Sequence, residues 1–88
     1  MDVTSLRDLI PVCQRMVYMN TGWSGPSPRP VVECMKGWLD YEMEQGPTTS
    51  EVYASGRKIQ AHAKEEVALL LNASPEDICL TDNTTHGL

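Results

Sequence analysis

The residues best suited to chemistry in this 88-residue chain are the adjacent threonines Thr84 and Thr85. They follow Asp82 and Asn83, and all four residue types cap helices through a side-chain oxygen. The apolar run at 78–80 precedes them and is typical of a strand buried in a parallel sheet. A strand leading into a Thr-rich helix start can bind an anion, because free N–H groups, the helix dipole and hydroxyl groups converge there. The alternative is an ordinary helix cap without a ligand, and these residues by themselves favour it.

The remaining polar residues form no recognisable catalytic or metal-binding arrangement. His62 and His86 lack the spacing of metal ligands, and no Ser-His-Asp arrangement can be argued. Lys36, Lys58 and Lys64 lie in predicted helices, without the desolvated surroundings that activate a lysine nucleophile. We therefore expect no catalytic residue and no metal site within this segment.

Composition and charge exclude several classes of protein. Lys and Arg number 7 and Asp and Glu number 12, for a net charge of −5, which argues against binding to nucleic acid or an anionic membrane. No cleavable signal is recognised, and no apolar run approaches the ~20 residues of a membrane span. Cys13, Cys34 and Cys79 lack a C-x-x-C spacing and are expected to be buried, reduced thiols of a cytoplasmic protein.

Two amphipathic helices are predicted to be the main elements of the chain, which has room for one domain, residues 1–88. Pro30 suits a first helical turn, and apolar residues at helical spacing predict a helix over 30–45, ended by Gly46 and Pro47. A second helix is predicted over 51–71, with Ser50 as its cap. Its apolar stripe is expected to pack in the core and consists of Val52, Gly56, Ile59, Ala63, Val67 and Leu70.

The first 28 residues are predicted to be shorter elements and a loop. Thr4 or Ser5 is expected to cap a short helix that cannot continue past Pro11. Residues 16–19 are a candidate strand, followed at 22–28 by a loop that its prolines stiffen. Trp23 in this loop could cover a ligand ring, but the preferred interpretation is that it plugs the edge of a core.

The order of these elements resembles the N-terminus of class V aminotransferases. These are pyridoxal-phosphate enzymes of fold type I and include cysteine desulfurases and isopenicillin-N-epimerase-like proteins. The resemblance spans residues 16–88 and rests on five pieces in the same order. They are VYMNTG at 17–22, GPSPRPV at 25–31, EEVALLLNA at 65–73, PEDI at 75–78 and LTDNTTHGL at 80–88.

The resemblance implies that the chain is the N-terminal segment of an α/β fold-type I transferase, itself mainly α-helical with one or two short strands. Thr84 and Thr85 match the pair that holds the phosphate of pyridoxal phosphate in that family. Asn20, Thr21 and Gly22 match the segment that approaches the substrate. An amino-acid substrate and a homodimeric, cytoplasmic parent enzyme are implied as well.

The family's lysine, aspartate and ring-stacking residue all follow the Thr pair in sequence, so none of them is expected within these 88 residues. None of the three cysteines matches the persulfide cysteine of desulfurases. The resemblance therefore implies a segment that is inactive by itself and whose reaction type is open. The alternative hypothesis is a small helical interaction domain that needs no cofactor.

Overall fold

The computed structural model describes residues 1–88, which form four α-helices and two 3₁₀ turns but no strand. The elements in order are α1 at Val3–Leu9, a turn at Pro11–Gln14, α2 at Arg29–Gln45, α3 at Ser50–Leu71, a turn at Pro75–Asp77 and α4 at Thr84–Gly87. The chain divides into two compact units, Met1–Glu44 and Gln45–Leu88, although the sequence shows no change of composition at that point. No helix is both long enough and apolar enough to cross a membrane.

α1 begins one turn earlier than the sequence predicts. Its N-cap is Asp2, whose carboxylate accepts a 2.8 Å hydrogen bond from the backbone N–H of Ser5. Thr4 and Ser5 lie inside the helix, so the prediction that one of them is the cap is wrong. Aspartate caps as well as serine, and Asp2 precedes both candidates. The predicted stop is confirmed, because α1 ends at Leu9 and Pro11 starts the following 3₁₀ turn.

α2 has the predicted bounds to within one residue, but most of its apolar stripe is exposed, and only Trp38 within it is half-buried. Pro30 lies in the first turn, and after Gln45 the chain turns away at Gly46, whose φ of +90° few other residues tolerate. Met35 is 63% exposed, and no residue of the unit Met1–Glu44 is buried. A helical stripe is fully buried only where another element covers it closely, and this unit does not bury the stripe of α2 to that extent.

α3 has closely defined ends. Its N-cap is Thr49, one residue before the predicted Ser50, and the Thr49 hydroxyl accepts from the Val52 amide at 3.4 Å. At the other end Asn72 adopts a left-handed backbone with φ of 54°, and its N–H contacts the carbonyl of Leu69. The Ala73 N–H bonds the Ala68 carbonyl at 2.9 Å, which completes a Schellman motif.

Only part of the α3 stripe is buried. Val52 and Ala68 are 3% and 2% exposed and are the two buried residues of the chain. Gly56 and Ala63 are half-buried, whereas the larger residues Ile59, Val67 and Leu70 are exposed. The 3₁₀ turn Pro75–Asp77 contacts α3. The expectation that the whole stripe packs in a core is therefore wrong for these 88 residues.

Neither predicted strand forms. Residues 16–19 and 78–80 have no regular secondary structure, although Ile78 does have an extended backbone with φ of −101° and ψ of 127°. A strand exists only when a neighbouring backbone completes its ladder, and the backbone hydrogen bonds of these segments are local turns, from Met16 to Val12 and from Ile78 to Pro75. The prediction that the cysteines are buried is also wrong for Cys34 and Cys79, which are exposed free thiols, whereas Cys13 is half-buried.

Candidate functional site

The candidate anion site lies in the turn at the start of α4. Asn83 is the N-cap with an extended backbone, and its side chain accepts a 2.8 Å hydrogen bond from the backbone N–H of His86. The Gly87 N–H bonds the Asn83 carbonyl and the Leu88 N–H bonds the Thr84 carbonyl, both at 3.1 Å. The predicted helix start in this stretch is therefore confirmed, and of the four candidate capping residues Asn83 is the one that caps it.

Thr84 and Thr85 present the hydrogen-bond donors of this turn. A cap satisfies only part of the first helical turn, and Asn83 takes the amide of His86. The amides and hydroxyls of Thr84 and Thr85 donate to no acceptor within the protein, and both residues are exposed. Two amides and two hydroxyls on neighbouring residues are thus open to an acceptor from solution.

Thr81 and Asp82, which precede the Thr pair, make further hydrogen bonds within the turn. The Thr81 hydroxyl donates to the Asn83 carbonyl at 3.3 Å, and the Asp82 amide donates to Nδ1 of His86 at 3.2 Å. The Asp82 carboxylate lies 3.8 Å from the same Nδ1. Its side chain is exposed, so solvent and salt screen its repulsion of a nearby anion. Sequence reasoning missed the contact between Asp82 and His86, for which the spacing of four residues was the available signal.

The predicted substrate-proximal residues Asn20, Thr21 and Gly22 lie in a closed loop of the other unit, Met1–Glu44. The Asn20 carbonyl accepts from the amides of both Trp23 and Ser24 at 3.1 Å. All three predicted residues are exposed. Each group of predicted site residues is therefore a local arrangement within its own unit.

Trp23 and His62 are two further residues that the sequence analysis considered, and both are exposed. Trp23 is 87% exposed, so the prediction that it plugs the edge of a core is wrong for these residues. His62 lies on the exposed side of α3, where its ring nitrogens are 3.9 Å from Glu65 and 4.0 Å from Glu66. No group of His, Cys, Asp and Glu side chains has the arrangement of a metal site.

Comparison with known proteins gives a partial and distant match. A probable cysteine desulfurase from Methanothermobacter thermautotrophicus is 33% identical to the chain over 90 residues. The match covers 100% of this chain, but the chain spans only 22% of the length of that protein. No family model matches the chain, and no solved structure matches it significantly. The similarity supports a coarse relationship to cysteine desulfurases.

Proposed function

We propose that this chain is the N-terminal segment of a pyridoxal-phosphate enzyme of the class V aminotransferase type, and that Thr84 and Thr85 hold the cofactor phosphate. The observation that carries the proposal is the exposed Thr pair at a capped helix start, in a chain 33% identical to a probable cysteine desulfurase. The parent enzyme is an α/β fold-type I homodimer of the cytoplasm. Its substrate is an amino acid, which Asn20, Thr21 and Gly22 approach.

The donors at this turn fit a phosphate group. A phosphate dianion is bound by backbone amides at a helix start and by hydroxyl groups, and both kinds of donor are open on Thr84 and Thr85. Pyridoxal phosphate supplies the electron sink for amino-acid chemistry, while the protein supplies binding and orientation. The role of Thr84 and Thr85 is to bind the phosphate end of the cofactor.

The Thr pair is insufficient for tight binding by itself. Each hydrogen bond to a charged group contributes about 1.5–3 kcal/mol, whereas micromolar binding requires about 8 kcal/mol. The dipole of a helix as short as Thr84–Gly87 adds little, and ordering this exposed turn opposes binding. Other residues of the parent enzyme must therefore supply the rest of the affinity.

The exposed apolar stripes support the proposal that these helices belong to a larger folded protein. Met35 on α2 and Leu70 on α3 are 63% and 84% exposed. Apolar surface of this kind is usually covered by further protein. The same stripes also suit the second candidate function, a small helical interaction domain. Binding of pyridoxal phosphate separates the two candidates, because an interaction domain needs no cofactor.

The test is a chimera in which residues 1–88 replace the matching region of the Methanothermobacter protein. We expect the folded chimera to bind pyridoxal phosphate, as followed by cofactor absorbance and by borohydride trapping on one lysine. Replacing Thr84 and Thr85 together by alanine should weaken binding at least about tenfold, since two charge-assisted hydrogen bonds are lost. Thr48→Ala, at an exposed threonine outside the turn, is the matched control and should leave affinity unchanged.

The 88-residue chain alone should bind the cofactor only weakly. Specific trapping on a single lysine of the short chain would contradict the hypothesis that it is an incomplete segment. A folded chimera whose double-alanine variant keeps full affinity would remove the phosphate role from the Thr pair.

A further inference from the structure

The imidazole of His86 makes two contacts with Asp82 that require opposite protonation states. Nδ1 accepts the backbone N–H of Asp82 at 3.2 Å, and the same nitrogen lies 3.8 Å from the Asp82 carboxylate. Nδ1 can accept a hydrogen bond only when it carries no proton, and it can pair with a carboxylate only when it carries one. The two contacts are therefore alternatives.

With a neutral ring, the turn is closed by a reciprocal pair of hydrogen bonds. The Asn83 side chain accepts from the His86 amide at 2.8 Å, while the His86 side chain reaches back to the Asp82 amide. In a capping box, a Glu or Gln three residues after the cap accepts from the backbone N–H of the cap residue itself. His86 also lies three residues after its cap, Asn83, but its ring accepts from the amide of Asp82, one residue before the cap, so this pair of bonds differs from a capping box and includes a titratable group.

Protonation removes the acceptor from this pair. The Asp82 amide loses its only partner, and the new Nδ1–H faces the Asp82 carboxylate instead. No ion pair joins the ring to a charged group elsewhere in the chain, and the neighbouring Thr81, Asn83 and Gly87 are uncharged. The Asp82 carboxylate is the charged group that lies within 4 Å of the ring.

We propose that His86 is a pH-dependent clamp on the turn 81–88. Neutral His86 holds the backbone of Asp82 in the closed turn, and protonated His86 releases it in favour of the carboxylate. The closed turn therefore belongs to the neutral ring and the released turn to the protonated ring. The clamp is a property of this chain alone and does not depend on cofactor binding.

The test is a pH titration of the chain by nitrogen-15 NMR from about pH 8 to about pH 5. At the upper end we expect His86 to be the Nε2–H tautomer, with unprotonated Nδ1. The Asp82 amide resonance should shift together with the titration of the ring. His62 is an internal control, because its ring lies near two carboxylates and accepts no hydrogen bond from a backbone amide.

A matched variant separates the clamp from a general effect of pH. In His86→Asn, the side-chain oxygen replaces Nδ1 as an acceptor but does not titrate, so the Asp82 amide should stay in its closed position throughout. In His86→Ala, the amide should resemble the released state at every pH. The clamp is overturned if His86 has the same tautomer mixture as His62. It is equally overturned if the Asp82 amide still titrates in His86→Asn.

Discussion

The hydroxyl group of Tyr18 donates a 2.6 Å hydrogen bond to the backbone carbonyl of Ser24, which closes the loop that contains the predicted substrate-proximal residues. Inside this loop the Asn20 carbonyl accepts from two backbone amides, so the loop has a defined shape although Trp23 is exposed. This hydrogen bond joins residues six positions apart and so fixes the ends of a segment that contains no helix or strand. The shape of the loop therefore depends on one side chain outside its apex.

Tyr18→Phe should loosen this loop. The variant removes a hydrogen bond of the kind that contributes about 0.5–1.5 kcal/mol, while keeping the aromatic ring. We expect the amide resonances of Trp23 and Ser24 to move toward random-coil positions, with little change in overall helicity. Tyr53→Phe is the control, because the Tyr53 hydroxyl is exposed and makes no hydrogen bond. Equal spectra for wild type and Tyr18→Phe would show that the bond does not order the loop.

Thr49→Ala should destabilise α3. The Thr49 hydroxyl accepts a hydrogen bond from the Val52 amide at 3.4 Å and donates one to the Gly46 carbonyl at 3.3 Å. Removing a threonine cap costs about 0.5–2 kcal/mol, and the length of this bond places the expected loss near the lower end. Urea unfolding followed by circular dichroism measures the change. Thr48→Ala supplies the reference, and losses of equal size in the two variants would show that Thr49 does not act as a cap.

The two long helices could be predicted from sequence because their signals are local. Pro30 at the first turn and Gly46 after the last are readable without knowledge of any partner. A strand at 78–80 would instead require a neighbouring backbone, and burial of Leu70 would require a covering element, and neither requirement is a local property of the sequence. Periodicity identifies which face of a helix is apolar, but it does not say what covers that face.

The candidate anion site was likewise predictable only where its signals are local in sequence. A helix start within 82–85 follows from residue types alone, because all four residues there are of types that cap helices, but those types do not identify Asn83 as the cap. The bond from the Asp82 amide to His86 depends on the extended backbone of Asn83, which turns the imidazole back across the cap. A pattern of residue types does not specify that orientation.

Acidification should loosen the start of α1. The backbone N–H of Ser5, and then its side chain, hydrogen-bond the Asp2 carboxylate and lower the pKa of that group below 3.8. Because the folded pKa is below the unfolded one, the cap stabilises α1 above about pH 4 and is lost as pH falls through the folded value. The Ser5 amide resonance should report this loss. In Asp2→Asn, which caps without titrating, the resonance should not respond, and a similar acid shift there would contradict the assignment.

Gly56→Leu should destabilise the chain, because Gly56 is half-buried on the face of α3 that includes buried Val52. A leucine has the better helix propensity, by up to about 1 kcal/mol, so propensity alone would stabilise the helix. Overpacking at a half-buried position typically costs about 1–3 kcal/mol and should outweigh that gain. The matched control is Ala54→Leu, at an exposed position of the same helix, where no steric cost is expected. Thermal unfolding followed by circular dichroism compares the two variants. A midpoint for Gly56→Leu equal to or above the wild-type value would mean that the side of Gly56 is open to solvent.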